Sequence, residues 1–128
     1  MACKLLLIRH GETVDNVNRI MQGQTPGKLT ENGINQARNL GAELSQKHID
    51  AFVSSDLQRA VDTCVEVAAP HFQGDRQTAL ANIFQTPLLR ERDWGSFTGR
   101  YIPDLKDAKW TPDIETTDAM RQRANAFL

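Results

Sequence analysis

Residues 9–13 read Arg-His-Gly-Glu-Thr and follow directly on the apolar run Leu5, Leu6, Leu7, Ile8. A short apolar run that ends in a basic, glycine-containing turn is how an open α/β sheet presents groups to a ligand at the carboxyl ends of its strands. Arg9 offers a rigid fork of N–H donors matched to an oxyanion, and the ring of His10 beside it can serve as nucleophile or base. The pair points to phosphate chemistry on a histidine. Alone, these five residues also suit a sheet edge that merely solvates itself.

Three later segments narrow the choice. Ser54-Ser55-Asp56-Leu57-Gln58-Arg59-Ala60 follows another apolar stretch, Ala51-Phe52-Val53, and again carries an arginine. Leu89-Arg90-Glu91-Arg92-Asp93-Trp94-Gly95 brings a carboxylate into a third strand-like stretch, and Leu29-Thr30-Glu31-Asn32-Gly33-Ile34-Asn35-Gln36-Ala37 opens a helix. In order, spacing and residue type these segments resemble the histidine phosphatase superfamily, the phosphoglycerate mutase-like enzymes, over nearly the whole chain.

The resemblance implies a role for each residue. His10 is the nucleophile that becomes phosphohistidine, which divides one displacement into two. A backbone acceptor in the Gly11 turn would hold the proton of one ring nitrogen and leave the other free for attack. Arg9 and Arg59 correspond to two phosphate clamps that stabilise charge on the transferring phosphoryl group. Asn16 matches the asparagine after the first motif, although it also suits a helix cap. Gly23, in Met21-Gln22-Gly23-Gln24, can offer a backbone amide to a phosphate oxygen. Glu91 matches the general acid, and that task needs a raised pKa. The plainer alternative is a surface glutamate paired with Arg90 or Arg92. Arg38, Arg76 and Arg123 read as solvated surface charge.

Stepping from these groups to what must position them, strand-like and helical stretches alternate. They indicate an α/β fold with a mostly parallel sheet, and the resemblance implies a three-layer αβα sandwich of the phosphoglycerate mutase-like kind. Leu5 to Ile8 reads as a buried strand. A helix begins at Thr30 with Ile34, Ala37, Leu40 and Leu44 on one face, weakened locally by Gly33 and Gly41. A strand at about 50–54 leads into a helix from Asp56 bearing Leu57, Ala60, Val61, Cys64, Val65 and Ala68, closed by Pro70. Residues 79–84 suit a helical turn and 86–91 a third strand. Pro103 and Pro112 break any long element, and a last helix runs from about Thr116 with Met120, Ala124 and Phe127 aligned.

The 128 residues, 40% hydrophobic and 24% charged, fit one soluble domain, with 15 basic and 16 acidic side chains nearly cancelling. That balance speaks against nucleic acid or an anionic membrane as partner. No run approaches membrane-spanning length and the chain starts without a signal-peptide pattern, so the cytoplasm is expected. Cys3 and Cys64 read as small buried thiols. His10, His48 and His71 lack the spacing of a metal site, so neither metal nor other cofactor is expected. Oligomeric state is open.

One family element is absent. The resemblance implies a second catalytic histidine in a Ser-His-Gly type motif on a later, central strand, and neither His48 nor His71 fits it. The chain therefore reads as one domain over 1–128, incomplete at its C-terminus, with two strands left unpaired. As to activity, the lysine that follows the glutamate motif in mutases is replaced by Ile102, and no adjacent arginine pair follows. A phosphatase acting on small phosphorylated metabolites, of the sugar phosphate or bisphosphate class, is favoured over a cofactor-dependent phosphoglycerate mutase. The rival from another class is a noncatalytic phosphate-binding module or pseudoenzyme. A Rossmann-type nucleotide binder comes last, because the first turn lacks spaced glycines.

Overall fold

Thr13 opens the first helix, α1 (Val14–Asn18), through a capping box: its hydroxyl accepts from the Asn16 amide while the Asn16 side chain accepts from the Thr13 amide. Thr30 caps α2 (Glu31–Leu44) through its hydroxyl alone, which accepts from the Gly33 N–H at 3.0 Å. The computed structural model describes residues 2–128. Its regular framework continues with β1 (Phe52–Ser55), α3 (Gln58–Ala68), a 3₁₀ turn at Ala69–Phe72, α4 (Arg76–Ala81), β2 (Ile83–Thr86) and, after three more 3₁₀ turns, α5 (Thr117–Phe127).

β1 and β2 pair in parallel, Phe52 opposite Ile83 through Ser55 opposite Thr86, with α3 and α4 in the crossover between them. Parallel pairing requires such a crossover, and this one confirms the α/β class. Ala68, Ala69, Ala79 and Ile83 form the core under the crossover, with Phe52, Cys64, Val65 and Phe72 packed around them. A second cluster, Phe97, Leu105 and Ile114 with Met21 and Trp94, holds the irregular segment that precedes α5. No helix among the described residues is long and apolar enough to cross a membrane.

Several sequence expectations require correction. Leu5 to Ile8 forms no strand: among the described residues no hydrogen-bonded neighbour accompanies it, and Leu5 and Leu7 are 58% and 90% exposed. An apolar run becomes a buried strand only when the chain supplies a ladder partner and covering faces, and among the described residues neither is present. The third strand lies at Ile83–Thr86 rather than 86–91. Pro87 lacks an N–H and fixes its own backbone, so the ladder stops at Thr86, whose hydroxyl caps a 3₁₀ turn by accepting from Leu88 N–H. The helical turn expected at 79–84 is instead α4, which starts earlier because Asp75 caps it through the amides of Gln77 and Thr78. Gly33 and Gly41 do more than weaken α2. A methyl group at Gly41 would stand 2.7 Å from the Glu66 carbonyl, so the glycine lets α2 lie against α3. Cys3 is exposed rather than buried.

The accessible surface is 8623 Å². A folded monomer of 14.4 kDa is expected to expose about 6,800 Å². The excess has visible contributors in Leu5 to Ile8, Val53 and Phe84, all of them exposed.

Candidate active site

The turn after Leu5–Ile8 is held by contacts from three elements. Gly11 N–H donates to the Thr63 hydroxyl of α3 at 3.0 Å, and that hydroxyl donates in turn to the Arg59 carbonyl at 2.8 Å. Glu12 N–H donates to Gln36 Oε1 of α2 at 3.0 Å, and the Glu12 carbonyl accepts from Thr30 N–H at 2.9 Å. The Glu12 carboxylate accepts from the Thr30 hydroxyl at 2.8 Å. Thr13, fully buried, donates its hydroxyl to Gln22 Oε1 at 2.7 Å. Close approach of backbone to backbone makes this possible, since a Cβ at Gly33 would lie 2.1 Å from the Glu12 carbonyl oxygen.

His10 is half-buried at this turn. Its Nδ1 lies 2.7 Å from the Gly11 carbonyl oxygen. A carbonyl only accepts, so Nδ1 carries the proton and Nε2 is left with its lone pair. The pKa of His10 is held below its ordinary 6.5, chiefly by burial, with the nearby positive charges of Arg59 and Arg9 adding to it. The Gly11 hydrogen bond and the Glu91 charge act in the opposite direction and are outweighed. A neutral imidazole with one free nitrogen is the form that can attack phosphorus.

A cleft of about 360 Å³ opens beside it, lined by Arg9, His10, Glu12, Asn16 and Gln36. Arg9 is exposed and makes no ion pair among the described residues, so its donors are available to an anion. Asn16 lines the cleft and also completes the capping box of α1, so the two readings of it coexist.

Arg59, Gly23 and Glu91 stand outside this lining. Arg59 is only 2% exposed and donates to the carbonyls of Thr25 and Gly23 at 2.6 and 2.7 Å. Burial lowers its pKa from the usual arginine range. The Gly23 carbonyl is thus engaged by Arg59, which leaves the amide expected to serve a phosphate oxygen outside that contact. Glu91 is exposed, makes no ion pair with Arg90 or Arg92 among the described residues, and accepts from the Arg92 backbone N–H through Oε1 at 2.7 Å. Arg90 makes a two-pronged bond to Asp56 at 2.7 and 2.6 Å, at the end of β1. Arg92 lies over the rings of Trp94 and Trp110. Arg123, expected to be solvated, is bound by Glu115 and donates to the carbonyls of Leu88 and Arg90 at 3.0 and 2.9 Å. It is a buttress for the segment that carries Glu91, and α5 delivers it there.

The match to a family model decides the family: the histidine phosphatase superfamily, branch 1, covers residues 5–128. The chain belongs to the histidine phosphatase superfamily. It is 37% identical to the adenosylcobalamin/alpha-ribazole phosphatase of Escherichia coli strain K12 over 98% of its own length and 64% of that protein. With a probable phosphoglycerate mutase of Proteus mirabilis it shares 32% identity, over 95% of the chain and 58% of the relative. The fold superposes on a mycobacterial glucosyl-3-phosphoglycerate phosphatase solved with VO3, at a TM-score of 0.75 and 28% identity, covering 92% of this chain and 61% of that one. The chain therefore spans about three fifths of the length of these histidine phosphatase relatives.

Sequence reasoning missed the residues of this histidine phosphatase superfamily member that hold the turn: Gln36, Thr63, Gln22 and Gly33. Gln36 and Gly33 lie in the stretch that opens α2, but helical periodicity records which face is apolar and not which polar side chain reaches another element's backbone. Thr63 was hidden among the apolar residues of α3. Among the described residues no three His, Cys, Asp or Glu side chains group as a metal site.

Proposed function

We propose that the protein is a phosphatase of small phosphorylated metabolites, of the sugar phosphate or bisphosphate class, working through a phosphohistidine on His10. The observation that carries this reading is the state of His10: Nδ1 is engaged by the Gly11 carbonyl, and the ring stands beside a cleft that Arg9 also lines. In the first step Nε2 forms a bond to phosphorus as the bond from phosphorus to the leaving oxygen breaks, and Glu91 gives that oxygen its proton. In the second, water attacks phosphorus, Glu91 takes the proton, and the N–P bond breaks to release inorganic phosphate. Arg9 stabilises the equatorial oxygens in both steps, and the buried Arg59 adds its positive charge close to His10. Asn16 contributes a polar contact to the bound phosphate, and Gly23 acts by holding Arg59.

Phosphatase-named relatives and the replacement of a lysine by Ile102 favour hydrolysis over the mutase reaction. Transfer between two carbons of phosphoglycerate needs cationic groups for the substrate carboxylate. The deciding experiment incubates the protein with small phosphomonoesters and traps the phosphoenzyme in acid-free conditions. The expected result is phosphate release with a phosphohistidine at position 10, insensitive to a chelator and absent in His10→Ala. Isomerisation of 3-phosphoglycerate without phosphate release would transfer the reading to a mutase, and binding without turnover would make the protein a noncatalytic module. A reducing compartment such as the cytoplasm suits the two free thiols, Cys3 and Cys64.

A further inference from the structure

The peptide unit that joins Gly11 to Glu12 is engaged on both sides. Its carbonyl oxygen accepts Nδ1–H of His10 at 2.7 Å, and its N–H donates to Gln36 Oε1 at 3.0 Å. The flanking units have their own anchors: Gly11 N–H is bound to the Thr63 hydroxyl, and the Glu12 carbonyl to Thr30 N–H. Turning the Gly11–Glu12 plane over changes ψ of Gly11, which has no side chain to resist it, and φ of Glu12, whose Cβ does resist it. A turned-over plane would carry the carbonyl away from His10 and aim it at the oxygen of Gln36. Gln36 opposes that state and favours the observed one.

We propose that Gln36 is a positioning residue for His10: by accepting from the Glu12 N–H, it orients the Gly11 carbonyl that keeps the proton on Nδ1 and the lone pair on Nε2. The effect on the nucleophile passes through one peptide unit. Accepting at the N–H also polarises the same amide, which strengthens its carbonyl as an acceptor. Gln36 lines the cleft as well, so the residue that sets the tautomer stands beside the space where substrate is bound. This assignment rests on His10 being the nucleophile for its catalytic meaning. Its structural content, the tautomer, is measurable without turnover.

The test is side-chain ¹⁵N NMR of the imidazole-labelled 128-residue chain at pH 8, with His10 assigned by comparison with His10→Ala. The unsubstituted protein is expected to show His10 with hydrogen on Nδ1. In Gln36→Leu, which cannot accept, the ratio of that tautomer to the Nε2–H form should fall about five-fold, the size of one ordinary hydrogen bond. Phosphorylation by phosphoramidate, in which Nε2 bonds to phosphorus and ammonia leaves, should slow by a similar factor. Gln36→Glu keeps an acceptor and has no amide nitrogen to exchange with it, so the Nδ1–H form should persist. A folded Gln36→Leu with an unchanged tautomer ratio overturns the proposal. If that variant does not fold, loss of the Nδ1–H form in Gln36→Glu overturns it, and its retention supports it. An unsubstituted chain that holds the tautomer yet takes no phosphate counts against the phosphatase reading and leaves the assignment of Gln36 standing.

Discussion

His10 combines two influences that usually conflict. Burial and two arginines disfavour its protonation, while the Gly11 carbonyl favours a proton on one nitrogen only. The outcome is a neutral ring with a defined tautomer. Because the folded-state pKa lies below 6.5, the rate of phosphohistidine formation should have its acid limb centred below 6.5. A limb centred above 7, measured with phosphoramidate, would contradict this. The same shift has a consequence for stability. As pH falls through 6.5 the unfolded chain takes up a proton that the folded ring resists, so the folded state loses stability in acid and regains it as pH rises. Glu91 has a separate test. Glu91→Gln keeps the shape of the side chain but cannot deliver a proton as an acid. Turnover of a phosphomonoester should fall by roughly 10² to 10⁴ with phosphate affinity largely retained. Equal turnover in the variant would remove Glu91 from the acid role.

At the scale of elements, the His10 turn is held by two helices that do not carry His10. α2 presses Gly33 against the Glu12 backbone and extends Gln36 to the adjacent amide, while α3 supplies Arg59 and Thr63 one turn apart. Gly33→Ala would place a methyl group inside backbone that is fixed on both sides. The variant should lose about 1–3 kcal/mol of stability in denaturant titration and form phosphohistidine more slowly. Unchanged midpoint and rate would mean that the helix can shift without cost. α5 acts on the segment that carries Glu91. Arg123→Met removes the donors that hold the carbonyls of Leu88 and Arg90, while keeping much of the side chain's bulk. Turnover should then fall while the ¹⁵N signature of His10 stays as it was, since the effect runs through the Glu91 segment. A change in the His10 tautomer would show that α5 and the His10 turn are coupled.

For the whole molecule, the feature that matters is surface. The cluster under the crossover is built largely of alanine, Ala68, Ala69 and Ala79 with Ile83, and among the described residues the largest fully buried side chain is Thr13. Leu5, Leu6, Leu7, Ile8, Val53 and Phe84 remain exposed. Exposed apolar groups beside a two-stranded sheet are prone to association. Hydrogen exchange of the 128-residue chain should find the amides of Leu5 to Ile8 nearly unprotected, with the strongest protection in α3 and β1. Protection of Leu5 to Ile8 that grows with protein concentration would reveal a second copy covering them. Concentration-independent protection would contradict the unpaired arrangement.

The family was legible from residue order alone, and so were three residues that line the cleft, Arg9, His10 and Asn16. Arg9, His10, Arg59 and Glu91 each follow an apolar stretch, and that pattern, with the resemblance it carries, identified the family. The starts of α2 and α5 were legible too, because a threonine cap acts within four residues of itself. Local rules also read Leu5 to Ile8 as a strand, and there they failed: a strand exists through hydrogen bonds to another strand, which no apolar run contains in itself. Only the tertiary structure decided which polar groups meet. Gln36 and Thr63 reach the His10 turn, Gly23 turns its carbonyl to Arg59, and Arg123 leaves solvent to brace the Glu91 segment. Residue type limits what a side chain can donate or accept, whereas the partner depends on how distant segments pack, and that is set by the whole chain at once.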